Sequence, residues 1–270
     1  MKRLFISALL LASITVLSGC IEIYTTINLN SDGTGTIEKN LMMSKEAIMM
    51  ISSFFPNKDS TKKFDLFDED KFRRDALSMG DDVTYMSGKR QSAEDKEGYI
   101  IAYAFKDIDK VKIGQDPSQI VRPQGTPGMS DTSSGGYISF DLDKDDPSTL
   151  TINLPSEEFQ ESEKEQLESA VDTMQIDTQM EQQIRKMMSG MKMAFAVNIP
   201  GTITATNAEY RDGSRITLAE IDFGKLIENP ENYKRLMAMK SKPFSEAKKF
   251  LRTIPGIKIE LNNKVKIEFR

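Results

Sequence analysis

Residues 21–41 of the chain, IEIYTTINLNSDGTGTIEKNL, alternate apolar and polar side chains on either side of an Asp-Gly pair. The first run places one set of alternating side chains on a single strand face, namely Ile21, Ile23, Thr25, Ile27 and Leu29. Asp32-Gly33 between two such runs is a strong hairpin signal, because the turn needs a positive φ. We therefore predict a half-buried β-hairpin at the start of the folded domain.

The remaining chain predicts further strands and fewer helices. Residues 98–105 are apolar on both faces, which indicates a central strand. A long helix is expected from Pro155 to near Gly190, and residues 257–261 and 265–269 are expected to form a small C-terminal hairpin. These patterns predict an α+β fold: a curved, mostly antiparallel sheet packed by one long helix, with short helices and that hairpin.

The N-terminal segment predicts export and lipidation. Lys2 and Arg3 precede an apolar run of 14 residues, 4–17, and the segment closes on Leu17-Ser18-Gly19-Cys20. This is the layout of a secretory signal peptide, and the run is shorter than the ~20 residues that span a bilayer. Its last four residues match the bacterial lipobox, in which the cysteine is acylated, typically with palmitate. We therefore expect residues 1–19 to be cleaved and Cys20 to carry the lipid anchor.

This anchor predicts a location in the cell envelope, outside the cytoplasm. Several acyl chains on one cysteine would hold the protein on the membrane far more firmly than a single chain. Ile21, rather than aspartate, follows Cys20, which favours the outer membrane if the source is Gram-negative, with the domain exposed to the periplasm or the surface. The alternative is an ordinary signal peptide, with Cys20 a free thiol.

Composition excludes several kinds of active site. The chain has no histidine, no tryptophan and a single cysteine, Cys20. Sites of the Ser-His-Asp and Cys-His types are therefore excluded, as are histidine-ligated zinc and internal disulfides. An enzyme would have to use carboxylates, lysine, tyrosine, serine or an oxygen-ligated metal. We expect no catalytic residue, no metal site and no cofactor.

The charge distribution suggests the domain organisation. Loss of residues 1–19 would lower the net charge from −5 to −7, and residues 225–270 carry 12 basic and 5 acidic side chains. We predict a lipid-anchored domain at 20–224, with a flexible Pro/Gly/Ser-rich loop near 114–136, and a basic helical and hairpin extension at 225–270. The acidic body argues against a nucleic-acid partner. The basic extension could face anionic headgroups or be a solvated helix face.

Two segments resemble LppM-type bacterial lipoproteins. One is Cys20 followed at once by a strand and by Ser31-Asp32-Gly33-Thr34-Gly35, and the other is residues 194–201, AFAVNIPG, followed by Asn207-Ala208 and a polar hairpin. Together they cover about 50 of the 270 residues. The resemblance implies a lipid-anchored α/β domain with an amphiphile-binding cavity.

The sequence thus leads to two main functional hypotheses. The first is a non-catalytic module that binds a lipid or another amphiphile and is held on the membrane through Cys20. The second is an envelope scaffold that docks another protein through sheet edges or the basic extension. An apolar cavity above ~300 Å³ would favour the first hypothesis. An exposed apolar patch over a filled core would favour the second.

Overall fold

A computed structural model of the protein describes residues 20–54, 65–114, 136–155, 189–239 and 244–270. The strands are β1 (Ile21–Leu29), β2 (Gly35–Ser44), β3 (Val83–Ser92), β4 (Lys96–Phe105), β5 (Lys112–Gly114), β6 (Tyr137–Asp143), β7 (Ser148–Asn153), β8 (Met191–Asn198), β9 (Ile203–Thr206), β10 (Arg211–Asp212), β11 (Arg215–Asp222), β12 (Lys258–Ile259) and β13 (Lys264–Phe269). The helices are α1 (Lys45–Phe54), α2 (Glu69–Met79), α3 (Phe223–Glu228), α4 (Pro230–Ala238) and α5 (Phe244–Arg252), with a 3-10 turn at Ile108–Lys110. The α+β prediction is confirmed.

The first sheet is built on the predicted hairpin. Its strand order is β10-β11-β8-β1-β2-β4-β3, and β12 pairs with β11 beside that path. At the tip of the β1–β2 hairpin, Gly33 has a φ of 88° and the N–H of Asn30 donates to the carbonyl of Thr34 over 2.8 Å. β4 is paired on both sides, as predicted for a central strand. Among the described pairings in this sheet β1 with β8 is parallel and the others are antiparallel.

A second sheet has the order β5-β6-β7-β13-β9, so the prediction of a single curved sheet is wrong. The buried faces of both sheets contribute to one hydrophobic core. Alternation along a strand shows which face of the strand is buried, but it does not show which strands are neighbours, so the sequence could not assign strands to two sheets. A sheet with one apolar face needs a second layer to cover that face. Here the second sheet supplies that layer.

The predicted C-terminal hairpin is also wrong. β12 pairs with β11 in the first sheet, whereas β13 pairs with β7 and β9 in the second. The chain crosses between the sheets at Glu260, whose N–H donates to the carbonyl of Leu218 over 2.9 Å, and at Asn263, whose carbonyl accepts from Leu154 over 2.8 Å. Two short alternating runs around an Asn-Asn pair are compatible with a hairpin or with such a crossing.

Several predicted features fall on residues outside the described part of the chain. The predicted signal peptide covers residues 1–19, most of the predicted loop falls on 115–135, and most of the helix predicted from Pro155 to near Gly190 falls on 156–188. These three features therefore stay predictions.

The predicted short helices are confirmed and flank the sheets. Ser44 Oγ accepts from the N–H of Ala47 over 3.1 Å at the start of α1, and Asp68 Oδ1 accepts from the N–H of Lys71 over 3.1 Å at the start of α2. Such caps satisfy donors that the first turn leaves free. α2 packs beside β3, and α5 belongs to a smaller apolar cluster with β12. Within the described residues, no helix has both the length and the apolar character needed to cross a membrane.

Candidate functional site

A cavity of about 420 Å³ lies between the two sheets and is flanked by α2 and α5. Apolar side chains form most of its wall. From the first sheet these include Ile23, Ile101, Met193, Phe195, Leu218 and Ile259. From the second sheet and the helices they include Ile113, Ile138, Leu154, Met79 and Leu251.

The strand register explains where the cavity lies. One row of paired residues crosses the first sheet and lines the cavity, in the order Ile101, Lys39, Thr25, Phe195, Ala219 and Ile259. The next row towards the hairpin tip is Tyr103, Ile37, Ile27 and Val197, and each of these residues is fully buried. Paired residues share a face, so the two rows are adjacent strips of one surface. The cavity lies above this first row and above the row on its other side, which holds Ile23, Tyr99 and Met193, whereas the row towards the hairpin tip is packed.

Lys39 is the unusual member of the cavity row. It occupies an inward position on β2 between Ile37 and Leu41, both of which are buried. Its Nζ lies 5.7 Å from the centroid of the Tyr103 ring, within reach of a cation–π contact. Burial lowers the pKa of Lys39, and the nearby charge of Lys71 lowers it further, while Asp75 acts in the opposite direction.

Asp75 of α2 supplies a carboxylate to the same cavity. Burial raises the pKa of Asp75 despite the opposing effect of Lys39, Lys71 and Arg74. Among the described residues, neither Lys39 nor Asp75 uses its side chain in a hydrogen bond or an ion pair. Lys39 and Asp75 thus influence each other across the cavity without forming a direct ion pair.

Two tyrosines of β4 border this charged pair. Tyr99 lines the cavity, and Tyr103 packs beneath Lys39. Burial raises the pKa of both phenols, and the charge of Asp75 adds to the effect, so both remain protonated. The Tyr103 hydroxyl is buried and has no hydrogen-bond partner among the described residues. These groups can donate hydrogen bonds, but they are poor proton acceptors at neutral pH.

A second buried acid, Glu260, has a structural role. It is 1% exposed, and its carboxylate accepts from the N–H of Glu209 over 2.9 Å and from the N–H and Nδ2 of Asn262 over 2.9 and 2.8 Å. These bonds occupy both carboxylate oxygens at the point where the chain crosses between the sheets. Lys248 of α5 lines the cavity near this side and is 8% exposed.

Cys20, the site residue predicted from sequence, lies outside the cavity but close to it. Its carbonyl accepts from the N–H of Ser44 over 2.7 Å, and its side chain is half-buried against the core. Gly190 lies so close to Cys20 that a Cβ added to this glycine would clash with the Cys20 backbone nitrogen. The cavity lining begins at Ile23, about 10 Å along β1 at ~3.3 Å per residue. Cys20 is thus held in the first sheet, at the end of β1 that lies nearer the cavity.

The sequence prediction missed Lys39 and Asp75. A signal for Lys39 was present, because its position continues the inward series Gly35, Ile37, Leu41 and Met43. Asp75 has no such signal, since its orientation depends on how α2 packs. Within the described ranges, no group of histidine, cysteine and acidic side chains is arranged to hold a metal ion.

Comparisons with known proteins add little to this picture. No model of a known protein family matches the chain, and no curated protein matches it significantly. Among solved structures, the chain matches the NMR structure of the Mycobacterium tuberculosis LppM folded domain at 8% identity, over 93% of this chain and 91% of that one, with a TM-score of 0.34. This is the family that the sequence resembles, but the TM-score is too low to support an argument about fold or function.

Proposed function

We propose that this protein is a membrane-anchored bacterial lipoprotein whose cavity binds a lipid or another amphiphile, without catalysis. The observation that supports this most directly is the cavity between the sheets. Its volume of about 420 Å³ lies within the ~300–1,000 Å³ typical of small-molecule sites. Its wall combines a large apolar surface with a few polar groups at Lys39, Asp75 and Tyr99. A ligand with an apolar tail and a polar end matches such a wall.

The position of Cys20 supports the same proposal. No linker separates it from β1, and its backbone is hydrogen-bonded into the sheet. An acylated Cys20 would therefore hold the cavity close to the membrane surface. A binding site so near a bilayer could receive its ligand from the lipid phase, where amphiphiles concentrate because each buried methylene contributes about 0.8 kcal/mol.

The alternative is a scaffold that docks partners along sheet edges. The edge strand β3 gives this alternative less support. This edge strand has a register shift between Tyr85 and Ser87, followed by Gly88, Lys89 and Arg90. Bulges and charged residues on an edge strand hinder the addition of another strand. Met86 is exposed beside the bulge, but a single exposed apolar side chain is ordinary for a protein surface.

Native mass spectrometry tests the proposal. The protein would be produced from residue 20 onward with Cys20→Ser, which keeps every described strand and the backbone bond to Ser44. After incubation with a lipid extract of its own cell envelope, we expect a bound lipid at close to one per protein, identified by its mass after extraction. A folded protein that shows only the apo mass at all lipid concentrations would contradict the proposal.

A further inference from the structure

We propose that Lys39 and Asp75 form the head-group site of the cavity, and that they select a head group of zero net charge carrying both a hydrogen-bond acceptor and an N–H or O–H donor. This inference rests on the proposed function, since it assigns the polar end of the same ligand. Two lipid classes share this chemistry: zwitterionic phospholipids with an ammonium group, and neutral acylglycerols with free hydroxyls.

The placement of the two side chains carries the argument. Lys39 lies in the cavity row between Thr25 and Ile101, and Asp75 reaches the same cavity from α2. Each has lost part of its hydration, and neither is compensated by a hydrogen bond or an ion pair from a described residue. Desolvating charges without pairing them is costly, so an ordinary folding role is a poor explanation for both.

The opposite face of the same sheet shows a closed ion pair. Lys96 Nζ and Glu22 Oε1 lie 2.7 Å apart, with side chains only 10% and 20% exposed. That distance is typical of a charge-assisted hydrogen bond. Lys39 and Asp75 have the same charges but do not close in this way. A group inserted between them could accept from the ammonium of Lys39 and donate to the carboxylate of Asp75.

The charges also define which head groups fit. A purely anionic head group would be attracted by Lys39 and repelled by Asp75. A purely cationic head group would be attracted by Asp75 and repelled by Lys39. Other charged groups change this balance little: Glu260 is fully hydrogen-bonded, Lys112 is exposed, and Lys248 already has an interaction partner. A head that presents a negative or acceptor end to Lys39 and a positive or donor end to Asp75 satisfies both groups.

Single-chain lipids that share one acyl chain and differ only in the head group would test this. The soluble Cys20→Ser protein is titrated, below each lipid's micelle concentration, with lysophosphatidylethanolamine, lysophosphatidylcholine, monoacylglycerol and lysophosphatidylglycerol. We expect the ethanolamine or glycerol head to bind at least about tenfold more tightly than the anionic phosphatidylglycerol head, which corresponds to about 1.4 kcal/mol. The choline head has the same charges as ethanolamine but no N–H donor, so it should also bind more weakly.

Comparing the ethanolamine lipid with monoacylglycerol distinguishes the two lipid classes that could supply the head group. Tighter binding of the ethanolamine lipid would assign the site to zwitterionic phospholipids, and tighter binding of monoacylglycerol would assign it to neutral glycerides. In the Asp75→Asn variant, the ethanolamine lipid should no longer bind more tightly than the choline lipid. Asp70→Asn, at an exposed position on the same helix, is the matched control and should preserve it. Lys39→Met provides a second, independent variant and should weaken binding of the preferred lipid at least tenfold.

The failures of the two proposals are distinguishable. If all four lipids bind the parent protein equally, or if the anionic lipid binds most tightly, the head-group inference is wrong while the amphiphile-binding function stands. The same holds if Asp75→Asn, folded as judged by circular dichroism, keeps the parent preference. If no lipid binds the folded parent protein, the proposed function itself is wrong.

Discussion

Thr25→Phe should block ligand binding without weakening the fold. Thr25 lies in the middle of the cavity row, between Lys39 and Phe195, and its side chain faces the gap between the sheets. The phenyl ring adds roughly four carbon-sized atoms, and each ligand methylene that it excludes costs about 0.8 kcal/mol. Binding should therefore weaken by about 3 kcal/mol, or roughly 100- to 200-fold.

Thr26→Phe is the matched control because Thr26 is the next residue of β1 and lies on the opposite face. Both variants introduce the same ring into the same strand, where aromatic residues are well tolerated. Binding of a fluorescent fatty-chain probe, displaced by the lipid found by mass spectrometry, gives the dissociation constants. Thermal unfolding of each variant shows whether the sheet is intact.

Two results would refute this reasoning. If folded Thr25→Phe binds the probe as tightly as the parent protein, the ligand does not occupy the space between the sheets. If Thr25→Phe and Thr26→Phe weaken binding equally, the effect arises from disturbance of β1 rather than from filling the cavity. A Thr25→Phe protein that keeps or gains stability while losing binding would show that the gap is not needed for folding.

Other perturbations have equally definite outcomes. Burial raises the folded-state pKa of Asp75, whose charged neighbours are Lys39, Lys71, Arg74 and Asp68, so Asp75→Asn should be more stable than the parent at pH 7. This difference should shrink as the pH falls through the raised pKa and vanish below the unfolded value of about 3.9, as urea unfolding at several pH values would reveal. Glu260→Gln should lower the free energy of unfolding by about 2–3 kcal/mol, because the NH2 group of the new side chain would face a backbone N–H and could not accept its hydrogen bond. Glu268→Gln, at an exposed position, should change the free energy of unfolding little. A similar loss in both variants would contradict the structural role of Glu260. Cys20→Ala should abolish both labelling by an alkyne-palmitate and retention in the membrane fraction. A parent protein that stays in the membrane fraction without being labelled would contradict lipidation.

The parts of the fold that sequence predicted correctly depend on local chemistry. The β1–β2 hairpin follows from a turn that needs positive φ at Gly33 and from alternation on both sides of it. The central position of β4 likewise follows from a run that is apolar on both faces. In contrast, the crossing at Glu260 depends on hydrogen bonds to Glu209 and to the carbonyl of Leu218, which are distant in sequence. A pattern read along the chain contains no information about such partners.

The sequence resemblance implied a cavity but did not indicate which residues line it. Alternation identifies the inward positions of β2, and a lysine at one of them conflicts with a packed core. Such a conflict between pattern and residue type is typical of functional positions, so the sequence alone contains a signal for Lys39. The position of Asp75 depends on the packing of α2 against the sheets, which the periodicity of the helix alone does not define.

The polarity of the first sheet also argues that the cavity is encoded rather than accidental. A gap left by imperfect packing would be lined by the same apolar residues as the rest of the core, as empty cavities usually are. Here the fully buried row keeps aliphatic residues at Ile27, Ile37 and Val197, whereas the adjacent cavity row has Thr25 and Lys39 on the same strands β1 and β2. On β1 and β2, these two polar residues therefore occur on a row that lines the cavity rather than on the fully buried row. Apart from the ring of Tyr103, no described residue gives the ammonium of Lys39 a hydrogen bond or an ion pair, so a ligand that supplies an acceptor would account for this arrangement.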